Sequence, residues 1–365
     1  MLAASFVVAG VVLVFLTLGD IFQSVIVPRP AGRTFRPSAL VSRYGWRLWR
    51  WSAHRIGDNE RREDFLGTYA PLLLVGLLIF WVALLILGYG LIFYGLRGEL
   101  RPEPDFGGAV YFAGTSLLTI GYGDIAPAGA LARLAAICAG ASGFGVVAIV
   151  TTFLFSIFGA FQQREQFVVT FTNRAGAPPS AVEMIETHAR LQITDNLAET
   201  LRESQAWMAL VMETHLAYPA LTYFRSQHDN ISWIGVFGAI LDSATIVITT
   251  LDVPQRGEAL ILNRLGRHFV NDFSDYFDLK AGGGAGVERS EFDTAYDRLR
   301  DAGFPMRERE TAWHDFADMR ATYAGRLNQI AQYWSIPPAQ WIGDRSYIGR
   351  HHPSSLSADA AALRD

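Results

Sequence analysis

The first half of the chain alternates long apolar stretches with short charged ones, and the second half carries apolar residues at helical spacing. Phe6 to Val27 is apolar except for Asp20, Gln23 and a few small polar residues. At about 1.5 Å per residue it crosses the roughly 30 Å hydrocarbon core of a bilayer. A secretory signal peptide is the alternative, but no Lys or Arg precedes the stretch and charge begins at Arg29. That flank predicts an uncleaved helix with its N-terminus outside. Asp20 inside a span is costly without a partner. An arginine at the cytoplasmic edge and a plain interfacial position are both open to it. Tyr69 to Phe93 is a second, charge-free apolar run, and Leu131 to Phe158 a third, rich in small residues that allow close helix packing. Between them lie an exposed loop, Arg97 to Asp105, and a helix over Gly107–Leu118 that is too short to span.

Beyond Gln162 the apolar positions recur three, four or seven apart. Val182, Ile185, Ala189, Ile193, Leu197, Leu201, Met208 and Val211 make one series, opened by Pro178-Pro179-Ser180 with Glu183 as a capping box. Ile261, Leu265, Phe269, Phe273 and Phe277 make another; Phe292, Tyr296 and Leu299 follow, then Trp313, Phe316, Tyr323, Leu327, Ile330 and Trp334. The pattern predicts a helical domain, with a weak hint of strand only at Gln166–Thr172. Ile231 to Leu251 is apolar around Asp242; a buried central helix is favoured over a span, with Arg225 or Arg264 as partner of the carboxylate.

Charge changes the picture in one place. Arg29 to Arg62 carries Arg33, Arg36, Arg43, Arg47, Arg50, Arg55 and Arg61 with Trp46, Trp49 and Trp51 interleaved. Between two spans this reads as a segment lying among anionic headgroups, not as a nucleic-acid site or a voltage sensor. Composition agrees with a membrane region plus a second domain: of 365 residues 50% are hydrophobic and only 18% charged, and the net charge of −4 argues against a polyanionic partner. Lys280 is the only lysine, which reads as a coding bias and a bacterial source. The single Cys138 excludes an intrachain disulfide.

The chemistry lies in Thr119-Ile120-Gly121-Tyr122-Gly123-Asp124. Glycine holds φ > 0 at no steric cost, so alternating glycines let successive carbonyls point one way. Such a row replaces the water shell of a dehydrated cation. These six residues resemble the potassium-channel selectivity filter, usually T-V-G-Y-G-D, with Ile for Val. The resemblance implies that Thr119, Ile120, Gly121 and Tyr122 bind K⁺, with Gly123 and Asp124 supporting the outer mouth. The resemblance covers about Tyr69 to Phe161. It implies an all-α membrane protein, a homotetramer because one loop per chain must supply a filter of four, and passive K⁺ conduction with K⁺ as the only metal and no organic cofactor. It places the filter mouth outside and everything after Gln162 in the cytoplasm, so that the basic segment is also cytoplasmic, as the positive-inside rule requires. In the family the inner helix bends at a glycine near here, which makes Gly143 and Gly145 hinge candidates. Phe153, Phe155, Phe158 and Phe161 are candidates for a constriction. Three positions depart from the family's pattern: Leu118 for a second threonine, Tyr111-Phe112 for two tryptophans, and Thr115 for a glutamate.

The expected organisation is an N-terminal transmembrane helix, 1–28; a basic interfacial segment, 29–68; a pore module, 69–161, with outer helix 69–96, pore helix 107–118, filter 119–124 and inner helix 131–161; a helical cytoplasmic domain, 162–353; and a flexible tail, 354–365. The cell's inner membrane is the expected location. His215, Arg225, His228 and Asp242, with His188 and His268, form a speculative regulatory site for an unidentified cytoplasmic ligand. No nucleophile–base pair, phosphate loop or G-x-G-x-x-G follows the pore, so an enzyme is not expected. A non-conducting membrane sensor or scaffold that keeps the pore module for assembly is the alternative.

Overall fold

The computed structural model describes residues 2–27, 37–226, 230–279, 286–337 and 339–341. His228, Lys280 and the 354–365 tail lie outside them, as do the first eight positions of the basic segment. The regular structure among the described residues is helical apart from one two-stranded ribbon and an isolated bridge. Among the described residues three helical stretches are long and apolar enough to cross a membrane, Leu2–Ile26, Asn59–Gly95 and Ala130–Ala175. The chain divides into two compact units, Met1–Ala160 with Leu216–Phe224, and Phe161–His215 with Arg225–Asp365.

In the first unit α1 (Leu2–Ile21) ends in a π-turn, Phe22–Ile26, and packs along α4 (Tyr69–Gly95). The approach is close because the contact is made of small residues: a methyl group on Gly10 would overlap the Gly88 carbonyl. Asp20 is buried, and among the described residues its partners are not arginines. Its carboxylate accepts from Trp81 Nε1 (2.8 Å) of α4 and from the backbone N–H (3.2 Å) and hydroxyl (2.8 Å) of Ser38, in the first turn of α2 (Pro37–Ala53). A helix start offers free N–H groups and the positive end of the dipole, which satisfy a carboxylate as well as a cation does. Trp46 of α2 is buried in an aromatic cluster with Tyr69 and Tyr223, ring centroids 5.1 and 5.4 Å away. Leu40, Tyr44, Leu48 and Trp51 of the same helix are exposed. The short α3 (Asn59–Gly67) starts on Asp58, whose side chain accepts from Arg61 N.

The second unit takes the end of α6 (Ala130–Ala175) and then α7 (Ala181–Arg190), α8 (Leu197–Ala217, whose last two residues fall in the first unit), α9 (Trp233–Thr249), α10 (Arg256–Tyr276), α11 (Arg289–Asp301), α12 (Arg309–Ala321) and α13 (Ala324–Tyr333). The strand hint at Gln166–Thr172 is wrong. These residues continue α6, and the hydroxyls of Thr170 and Thr172 donate to carbonyls four residues back, so the β-branched run is satisfied inside the helix. The first apolar series is split between α7 and α8 at Gln192, which has φ 57°. Ser180 caps α7 by accepting from Glu183 N. Every residue of α9 is buried, with α7, α10, α12 and α13 packed around it. Asp242 in α9 pairs with Arg320 (Nε 3.0 Å) and accepts from the Tyr323 hydroxyl (2.6 Å), not from Arg225 or Arg264. Arg264 is exposed, and Arg225 donates to the carbonyls of Trp334 and Ser335.

Candidate functional site

The loop singled out from sequence hangs between α5 (Phe106–Leu117) and α6. Asp105 caps α5, its carboxylate accepting from Gly108 N at 2.7 Å. On the far side β1 (Leu100–Arg101) pairs antiparallel with β2 (Ala126–Pro127). The Glu99 carbonyl accepts from Ala128 N and Gly129 N, and its carboxylate from Ala132 N (3.0 Å) in the first turn of α6. The charged residues before α5 therefore strap the exit of the loop and cap the following helix. Under α5, Phe112 packs edge-on to Phe93 at 4.7 Å, and Val110 seats against Gly90. Tyr89 and Ser142 share a 2.7 Å hydrogen bond that ties α4 to α6.

Within the loop the sign of φ alternates. Thr119 (56°), Gly121 (60°) and Gly123 (83°) are left-handed, while Ile120, Tyr122 and Asp124 are not. For the glycines this costs little; for Thr119 it stores roughly 1–2 kcal/mol of strain. The backbone is held from below by Thr115, whose carbonyl accepts from Ile120 N (2.8 Å) and Gly121 N (3.3 Å). Sequence reading marked Thr115 only for lacking a carboxylate, because a carbonyl contact leaves no side-chain signal. At the other end the Tyr111 hydroxyl lies beside the Asp124 carboxylate. Thr119 to Asp124 are all exposed on the single chain, Ile120 at 49% and Tyr122 at 70%, as is Leu118 at 49%. Chemically, such a loop offers backbone oxygens and the Thr119 and Tyr122 hydroxyls, with the Asp124 carboxylate closing it.

The two hinge candidates differ. A methyl on Gly143 would overlap the Leu117 carbonyl at the end of α5, so this glycine lets α6 approach α5; around Gly145 there is open space. Both lie inside an unbroken helix. Of the candidate constriction rings, Phe153 packs on Tyr218 and Phe158 on Phe224, Phe161 is buried, and Phe155 is 73% exposed.

In the second unit the proposed regulatory residues have separate partners. His215 is buried; its Nε2 accepts from Arg164 Nη1 (3.2 Å). An arginine only donates, so Nδ1 carries the proton and donates to the Val211 carbonyl (2.9 Å). Burial, and secondly the Arg164 charge, hold His215 well below 6.5. His188 bonds the Met184 carbonyl and Thr200, and burial lowers it too. His268 is exposed beside Asp272, and Asp242 and Arg225 are engaged as described. Among the described residues no three His, Cys, Asp or Glu side chains are placed to hold a metal ion. Arg164, which sequence reading missed, is fully buried; it pairs with Glu165 at 2.9 Å and faces the rings of Phe161 and Trp233. One charged residue past a long apolar run gave no reason to expect it inside.

Residues 77–160 match the family model described as ion channel. The chain is 24% identical over 299 residues to an uncharacterized membrane protein, YdjJ, of Bacillus subtilis (strain 168), covering 79% of this chain and 84% of that one. No solved structure matches. The chain is thus an all-α membrane protein whose residues 77–160 are similar to an ion-channel domain.

Proposed function

We propose that this protein is a potassium-selective channel, a homotetramer in which Thr119, Ile120, Gly121 and Tyr122 of each chain line the filter. The observation that carries the reading is the alternation of φ at Thr119, Gly121 and Gly123, the backbone habit needed to turn successive carbonyls to one side. A second feature supports assembly. Ile137, Ala141, Phe144, Ala148, Thr151 and Phe155 recur three and four apart on α6, and all are exposed on the single chain. Such a stripe suits helix packing against copies of itself. The mouth at Asp124 faces outside and the second unit lies in the cytoplasm of a bacterial inner membrane, where it regulates the pore. The exposed Leu40, Tyr44, Leu48 and Trp51, with Arg43 and Arg47 alongside, rest on the anionic headgroup layer.

The test is the reversal potential of purified protein in liposomes, with K⁺ on one side and Na⁺ on the other. A value near the K⁺ equilibrium potential is expected. A value near zero with current removes the selectivity assignment. No current with any cation favours a pore module kept only for assembly.

A further inference from the structure

The second unit contains a cleft of about 340 Å³ beside the C-terminal end of α9. That is the lower end of the range for small-molecule sites, about 300–1,000 Å³. Its walls carry Arg256 and Arg267 from α10, Arg307 from the segment before α12, and Asp315 and Asp318 from α12. Three cations thus face two carboxylates. Arg307 is already committed: Nη1 donates to the Thr249 carbonyl (2.7 Å) and lies 2.9 Å from Asp315. The rim around it is fixed by backbone pairing, Arg307 N to the Thr250 carbonyl and Asp252 N to the Pro305 carbonyl. Arg256, Arg267 and Asp318 have no partner among the described residues. Arg267 is half-buried, and its Nε is shut off from water with no acceptor, an unfavourable state for a charged donor. Arg256 is the first residue of α10, at the positive end of the helix, where a cation is disfavoured and an anion is welcome.

We propose that this cleft binds a small phosphorylated organic anion. The cleft is net positive, and two unpaired guanidinium groups present enough N–H donors for the three oxygens of a phosphate monoester, more than the two oxygens of a carboxylate need. Asp318 accepts from a hydroxyl or amine of the ligand, and Ile248 and Met319 meet its apolar part.

Titration calorimetry of the full chain in detergent, with AMP and with inorganic pyrophosphate at fixed ionic strength, tests this. Saturable binding of at least one probe is expected, weakened about tenfold in Arg267→Gln and in Arg256→Gln. Arg256 is exposed, so its substitution leaves folding intact. The absence of saturable binding of both probes at millimolar concentration overturns the proposal, as does binding that Arg256→Gln leaves unchanged. The titration measures no ion flux, so its failure and that of the conduction reading are distinguishable.

Discussion

Gly121 sits at φ 60°, and a methyl group there meets no neighbour within its own chain, so within the chain it acts through the backbone. Gly121→Ala adds roughly 1–2 kcal/mol of left-handed strain and turns a carbonyl out of the row. Loss of K⁺ selectivity with the chain still folded is expected, and normal selectivity in that variant would refute the filter assignment. Asp242 makes a stability prediction. Burial pushes its carboxyl up, and the Arg320 charge works against that. Arg320→Met leaves the carboxylate buried without its ion pair and destabilises by about 3–5 kcal/mol, measured by denaturant unfolding. Adding Asp242→Leu recovers a large part of that. The two buried histidines set a pH dependence. Their folded pKa values lie below 6.5, so the unfolded chain binds more protons as pH falls through 6.5. The stability they contribute is complete above that pH and is lost below it, at up to about 1.4 kcal/mol per pH unit for each histidine. In His215→Gln the slope of stability against pH between 6.5 and 5 is expected to fall by one histidine's share; an unchanged slope would mean that His215 takes up its proton in the folded state.

At the scale of elements, α6 separates two uses of glycine. Gly143 lets the helix reach the end of α5, so Gly143→Ala forces the two apart and is expected to cost folded protein. Gly145→Ala meets no neighbour and leaves folding intact; if bending at Gly145 opens the pore, its open probability falls. Comparing yield and single-channel opening of the two variants distinguishes packing from hinging. The junction of α1, α2 and α4 at Asp20 follows the same logic. Trp81→Phe keeps an aromatic ring and removes one donor from a buried carboxylate, a loss of about 1–3 kcal/mol.

For the whole molecule, the proposed channel turns on assembly. A single chain leaves Ile120 and Tyr122 uncovered, together with the stripe on α6. Native mass spectrometry of protein released from lipid is expected to give four chains. A monomer or dimer as the only species would remove the conduction reading, because one loop cannot surround an ion.

By itself, the sequence determined whatever depends on local composition. Spans are legible because a charge-free apolar run of about 20 residues or more matches the thickness of a bilayer, and the loop because the glycines of Gly-Tyr-Gly admit φ > 0 at no steric cost. The helical period beyond Gln162 identified a helical unit for the same reason. Tertiary structure decided the partners. Asp20 meets a helix start and an indole, and Asp242 meets Arg320, 78 positions away, and not Arg225 or Arg264. Arg164 is buried beside a neutral histidine. Each choice depends on which faces are brought together over long chain separations. A buried charge accepts any donor set that satisfies it, so its own neighbours in sequence carry no trace of which one it meets.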